Sequence, residues 1–118
     1  MARRPDGSLE HDIMRVLWDV SAPLSPAQVN ARLDPARAYT TVATVLSRLH
    51  TKGLVERTTS GRAFAYTAAL PESELAGQRM AQVLVAADDR GAALAGLVRN
   101  LSRRDAKLLR KLLEEPLN

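Results

Sequence analysis

Thr40-Thr41-Val42-Ala43-Thr44-Val45-Leu46-Ser47-Arg48-Leu49-His50-Thr51-Lys52-Gly53 is the stretch on which the fold turns. Val42, Val45, Leu46 and Leu49 recur at helical spacing on one side, so the run predicts an amphipathic helix with a buried stripe. Thr40 is placed to cap its start and Gly53 to stop it after Lys52. The other side carries Thr41, Thr44, Ser47, Arg48 and Thr51, and no acidic residue occurs anywhere from Thr40 to Lys52. At 1.5 Å per residue the helix is roughly 20 Å long, a length that lies in a DNA major groove. Threonine is a mediocre helix former, so stability alone does not account for this face. A solvated helix surface is the competing reading of the same side chains.

Downstream, Leu54 to Thr59 and Arg62 to Thr67 read as two short strands joined at Ser60-Gly61. That turn pairs Val55 with Tyr66, Arg57 with Phe64 and Thr59 with Arg62. Val55 and Tyr66 then pack on the helices, while Thr58, Thr59, Ser60 and Arg62 at the tip face a backbone. Upstream, Ser25-Pro26-Ala27-Gln28 is a capping-box pattern with proline at the first helical position, opening a short helix stopped by Asp34-Pro35. Before it, Ser8 is placed to cap a first helix whose opening turn carries Glu10 and Asp12. Leu9, Ile13, Val16 and Leu17 form its apolar face, extended by Met14 and Trp18, and it ends near Asp19. Three helices and a hairpin in this order are those of a winged helix-turn-helix. From Arg37 to Thr67 the cations Arg37, Arg48, Lys52, Arg57 and Arg62 face one acid, Glu56, so the positive charge is local.

Beyond Tyr66 the pattern turns helical again. Pro71, Glu72 and Glu74 open a helix carrying Ala76, Met80, Val83, Leu84 and Ala87 up to a break at Asp88-Asp89-Arg90-Gly91. A second helix carries Leu94, Leu97, Val98 and Leu101. Ser102-Arg103-Arg104-Asp105 opens a third, with Leu108, Leu109, Leu112 and Leu113. These helices are too apolar for their length and need a covering surface. They either fold back on the preceding residues or bury their leucines against a second subunit, and the two-fold homodimer is the commoner solution. The expected dimer contacts are Met80, Leu84, Leu94, Leu97, Val98, Leu101, Leu109, Leu112 and Leu113. The fold class is thus mostly α with a small β-hairpin: a winged helix-turn-helix DNA-binding domain over residues 1–70 and a helical dimerisation tail over 71–118.

The 118 residues hold one domain's worth of core, with 46% hydrophobic and 25% charged side chains and a net charge of +4. The excess of cations suits a polyanionic partner. No apolar run approaches the ~20 residues of a membrane helix, and the start of the chain lacks a signal-peptide core, so a cytoplasmic protein without membrane contact is expected. With no cysteine, disulfides, thiolate metal sites and thiol nucleophiles are excluded. His11 and His50 fall on different helices with no cysteine to complete a set, so no metal and no cofactor is expected. There is no Gly-rich phosphate loop, Gly-x-Ser-x-Gly or His-Glu-x-x-His, and 3% aromatic residues leave little to line a substrate cleft, which argues against an enzyme. The same scarcity of aromatics disfavours RNA. Arg3 and Arg4 read either as a minor-groove arm or as a frayed basic terminus. Arg103, Arg104, Lys107, Arg110 and Lys111, interspersed with Asp105, Glu114 and Glu115, read as a solvated helix face.

Trp18, the run Ala38-Tyr39-Thr40-Thr41-Val42-Ala43-Thr44-Val45-Leu46-Ser47-Arg48-Leu49, then Lys52-Gly53-Leu54-Val55 and Gly61-Arg62-Ala63-Phe64-Ala65-Tyr66, in that order, resemble the penicillinase repressor family (BlaI/MecI/CopY type). The resemblance covers most of the chain. It implies a dimeric repressor on a palindromic operator, with the third helix in the major groove and a hairpin wing on the flanking backbone. It places Thr41, Thr44 and Arg48 at base edges or adjacent phosphates and Arg62 on the wing. Tyr39, Thr40, Ser47, Thr51 and Arg57 complete the expected set that contacts double-stranded operator DNA. Copper-responsive members carry C-terminal cysteines, which this chain lacks. Antibiotic-responsive members are cut at an Asn-Phe bond in the tail, but here the stretch reads Gly96-Leu97-Val98-Arg99-Asn100-Leu101. Either a different regulatory protease acts on this tail, or another inactivating signal releases it, or its targets are unrelated to antibiotics. A reading from another class also fits the pattern: a winged-helix module whose helix 40–52 docks a protein instead of DNA. Counterion release on a duplex, with a log–log salt slope of about −0.9 per phosphate neutralised, separates the two.

Overall fold

The computed structural model describes residues 6–115 in the order α1 (Asp6–Asp19), α2 (Pro26–Ala31), α3 (Tyr39–Thr51), β1 (Val55–Ser60), β2 (Ala63–Ala68), α4 (Glu72–Ala86), α5 (Arg90–Asn100) and α6 (Arg103–Glu114). Arg3 and Arg4 lie outside the described residues. α1 begins two residues before Ser8, so Ser8 sits inside the helix and does not cap it, and Glu10 moves from the first turn to the second. Ile13, Met14 and Leu17 are buried as their spacing requires, with Leu9, Val16 and Trp18 packed at the margin. α2 has its full capping box: the Gln28 amide donates to Ser25 Oγ at 3.2 Å and the Ser25 amide to Gln28 Oε1 at 2.8 Å. It stops at Ala31. The turn into α3 is closed by Asn30, whose Nδ2 donates to the Arg37 carbonyl at 2.6 Å while its Oδ1 accepts the Arg37 amide at 2.7 Å.

α3 starts two residues earlier than a cap at Thr40 allows for. Ala38 is its N-cap and offers no side-chain bond, so Thr40 is the second helical residue and not the cap. The other end follows the sequence. Gly53 adopts φ 79°, its amide donates to the His50 carbonyl at 3.0 Å, and the Leu54 amide reaches the Leu49 carbonyl at 3.0 Å. These paired bonds are a Schellman stop, and the left-handed residue they need is the glycine.

β1 and β2 pair antiparallel as Val55↔Ala68, Arg57↔Tyr66, Thr59↔Phe64 and Ser60↔Ala63. The turn is therefore Gly61-Arg62, not Ser60-Gly61, and each partner lies two residues further along than the sequence reading placed it. A two-residue slip preserves the face of every side chain, which is why Val55 and Tyr66 are buried all the same. Gly61, at φ 64°, occupies the first turn position, where a two-residue hairpin turn with one left-handed residue requires glycine. Leu24 extends the sheet by one bridge, exchanging backbone bonds of 3.0 and 2.8 Å with Tyr66.

The chain forms two compact units that divide between Leu75 and Ala76. The first has one core, built from α1, α2, α3, the hairpin and Leu75: Ile13, Met14, Val29, Val42, Leu46 and Leu49 have no exposed surface. Each such side chain contributes roughly 1.5–3 kcal/mol. Trp18 Nε1 donates to the Leu70 carbonyl at 2.9 Å, and Arg15 meets Glu72 at 3.1 Å. Two Asp/Ser caps organise the second unit: Asp89 accepts from the Ala92 amide at 3.0 Å and Ser102 from the Asp105 amide at 3.0 Å. No described residue from Ala76 onward is buried. No described helix is long and apolar enough to cross a membrane.

Candidate nucleic-acid interface

The core stripe of α3 fixes which way its other side faces. With Val42, Val45, Leu46 and Leu49 buried, helical geometry turns Thr40, Thr41, Thr44, Ser47, Arg48 and Thr51 to the surface, and all of them are exposed. Thr44 Oγ1 donates to the Thr40 carbonyl at 2.7 Å and Thr51 Oγ1 to the Ser47 carbonyl at 3.1 Å. Their protons are occupied, so these two hydroxyls offer an acceptor and a methyl to a ligand; Thr40, Thr41 and Ser47 keep their donors.

The residues fall into two adjoining clusters. Thr40, Thr41, Thr44 and Arg48 line a shallow recess closed at its edge by Leu9 and Val45. Tyr39, Ser47, Arg57 and Arg62 line a cleft between α3 and the hairpin, floored by Pro26, Ala43, Ala63, Phe64 and Tyr66. Thr51 belongs to neither and sits in the last turn of α3. Tyr39 is 53% exposed, an unusual degree for a tyrosine within a folded unit.

The electrostatics differ from the sequence count. Lys52 leaves the α3 face and ties that helix to α1, its Nζ donating to both carboxylate oxygens of Glu10 at 2.9 and 2.8 Å. Glu10 is only 8% exposed, so it takes up the Lys52 charge from within the fold. Arg37 is half-buried in a different cleft, beside Asp12, Asp19 and Asp34. What remains is Arg48 on α3 with Arg57 and Arg62 on the hairpin, and among the described residues none of these three forms an ion pair. The Arg57 guanidinium lies over the Phe64 ring, 4.2 Å from its centroid. Phe64 was not among the expected contacts. Its signal was an aromatic side chain two positions before the buried Tyr66, hence on the same face of β2 but nearer the tip.

Residues 7–115 match the family model described as penicillinase repressor. A relative named transcriptional regulator BlaI, from Mycobacterium tuberculosis (strains CDC 1551 / Oshkosh and ATCC 25618 / H37Rv), is 38% identical over 114 residues, covering 92% of this chain and 83% of its own. An uncharacterised 16.5 kDa protein of Latilactobacillus sakei is 36% identical over 72 residues, covering 55% of this chain and 45% of its own. Among solved structures, the DNA-binding domain of the repressor BlaI superposes with a TM-score of 0.50 at 30% identity, covering 63% of this chain and 93% of that domain. The fold is thus a winged helix. The family match over residues 7–115 and the 38% identity to a transcriptional regulator over most of both chains show a lineage of transcriptional regulators, and the chain belongs to the penicillinase repressor family.

Proposed function

We propose that this protein represses transcription by binding a palindromic operator as a homodimer, with α3 of each subunit in the major groove and each hairpin on the flanking backbone. The observation that carries the proposal is the α3 surface itself: an exposed, acid-free row of hydroxyls and Arg48, flanked by Arg57 and Arg62, which have no carboxylate partner among the described residues. Thr41, Thr44 and Arg48 are assigned to base edges and nearby phosphates. An arginine there suits guanine, and the acceptor and methyl of Thr44 suit an exocyclic amine or a thymine methyl. Tyr39, Thr40, Ser47 and Thr51 are assigned to the adjoining phosphates, and Arg57 and Arg62 to the backbone beside the wing.

Residues 1–70 are assigned to DNA and 71–118 to dimerisation, with the first turn of α4 joined to the former through Leu75. Support for the second assignment is the solvent exposure of the tail's apolar side chains, among them Leu97 at 47%, Leu112 at 50% and Leu113 at 77%. Helices of this length are marginal without tertiary packing, and a second subunit supplies it. A dimer also links the half-sites, since the second is engaged at high effective concentration once the first is bound. The cytoplasm, where such an operator is accessible, is the assigned compartment.

Selection of bound duplexes from a random pool with the full chain tests the proposal. A two-fold symmetric motif is expected, its half-sites about one helical turn or a multiple of it apart, with log affinity falling linearly against log salt. A protein-docking module would enrich no motif and show no such salt term, and that result would overturn the proposal.

A further inference from the structure

We infer that Phe64 is a positioning residue for DNA binding, its ring holding the Arg57 guanidinium ready for a backbone phosphate. The inference rests on the operator-binding reading above. Phe64 is the single phenylalanine of the chain, and it is left 43% exposed near the tip of the hairpin when the core could have taken it. One edge is anchored by Tyr66, which is buried and meets Phe64 edge-on at 6.5 Å and 65°. The face of the ring meets Arg57.

The strand register makes that contact a choice of the side chain and not a by-product of pairing. Arg57 stands opposite Tyr66, and Phe64 stands opposite Thr59, one pair nearer the tip. Arg57 therefore leans diagonally along the sheet to place its guanidinium carbon 4.2 Å from the Phe64 centroid. Diagonal neighbours on one face are within reach of long and aromatic side chains. Glu56, the nearest acid in sequence, belongs to the opposite face of β1 because strand side chains alternate. Among the described residues Arg57 has no ion pair and no side-chain hydrogen bond, so ring stacking restrains the cation without using its N–H donors. An arginine held this way loses less freedom on meeting a phosphate than one that waves in solvent, which is how preorganisation raises affinity. Arg62, in the turn, stacks on no ring among the described residues and serves as the internal contrast.

The test measures binding of the full chain to a random-sequence duplex of about 30 base pairs by fluorescence anisotropy over a salt series, because a backbone contact needs no particular sequence. Phe64→Ala should weaken binding about two- to five-fold, the range of an exposed cation–π contact. The salt slope should not change, since no charge is lost. Phe64→Tyr should restore wild-type affinity, whereas Phe64→Leu, which keeps apolar bulk without the π-face, should behave like Phe64→Ala. In an Arg57→Ala background, itself lowering the slope by about one, Phe64→Ala should have no further effect. Equal binding by Phe64→Leu and Phe64→Tyr, a slope that falls with Phe64→Ala, or an undiminished Phe64 effect in the Arg57→Ala background would each overturn the inference while leaving the DNA-binding reading intact. Failure of the wild-type chain to bind any duplex would overturn both.

Discussion

Lys52→Ala should destabilise the protein without altering its use of charge on DNA. Glu10 sits in the second turn of α1 with its side chain 10% exposed, and Lys52 Nζ donates to both of its oxygens. Among the described residues no other side chain bonds that carboxylate. A buried acceptor stripped of its partner costs about 1–3 kcal/mol, and breaking a fully buried ion pair costs about 3–5 kcal/mol. The Lys52 side chain is 49% exposed, however, so water replaces part of what the ammonium supplied, and wholly exposed pairs contribute only about 0.2–1 kcal/mol. The expected loss is therefore about 1–2 kcal/mol. For a domain of this size that corresponds to a fall in Tm of roughly 4–16 °C. Urea denaturation followed by circular dichroism, at one fixed protomer concentration, measures it as a shift in midpoint at constant m. Replacing the pair together, as Glu10→Leu with Lys52→Ala, should recover part of the loss because no charge is then left stranded. On a duplex, Lys52→Ala should keep the wild-type salt slope. An unchanged urea midpoint, or a slope lowered by about one, would refute the reasoning and return Lys52 to the DNA-facing cations.

Arg48→Ala and Thr44→Ala should each weaken binding to a selected operator by about 1–3 kcal/mol with the thermal melt hardly changed; wild-type affinity in both would remove α3 from the groove. Arg62→Ala should reduce affinity for specific and random duplexes by similar factors and lower the salt slope by about one, and an unchanged slope would take Arg62 off the backbone. The full chain should sediment as a dimer at micromolar concentration, and Leu109→Asp should render it monomeric by placing a charge in the apolar contact. A chain ending after Leu75 should also be monomeric and folded, while one ending at Thr67 should be less stable, since it loses the Leu70 carbonyl that Trp18 bonds, the Arg15–Glu72 pair and buried Leu75.

Periodicity and capping chemistry were legible wherever the determining residues lie within a few positions of one another. The stripe Val42, Val45, Leu46 and Leu49, the box Ser25-Pro26-Ala27-Gln28, the Gly53 stop and the cap at Ser102 are all of this kind, whereas the Asp88-Asp89-Arg90-Gly91 break proves to hold a cap of its own at Asp89. The hairpin register is not legible in the same way, because Gly61 fits either position of a two-residue turn. Its physical resolution is that Ser60-Gly61 in a type I′ turn needs positive φ at a serine, whereas Gly61-Arg62 puts the sole left-handed residue on glycine. Thr40 has the chemistry of a cap, but Asn30, clamping Arg37 from the preceding helix, fixes where α3 begins. Charge was the least legible property. Counting Lys52 with Arg48, Arg57 and Arg62 treats sequence neighbours as spatial ones, and only the packing of α1 against α3 reveals that Glu10 takes Lys52 for itself.

The bond from Trp18 to the Leu70 carbonyl gives the molecule a built-in optical reporter. The chain has one tryptophan, so its intrinsic emission comes from a single half-buried indole joined to the segment that leads from β2 into α4. If that segment stays docked when an operator is bound, the emission maximum should hold its position through a titration. If it peels away, the indole loses its acceptor and meets water, and the spectrum should shift to the red before any helix unfolds. Unlabelled protein can thus distinguish a rigid reader from one whose linker segment detaches on the DNA.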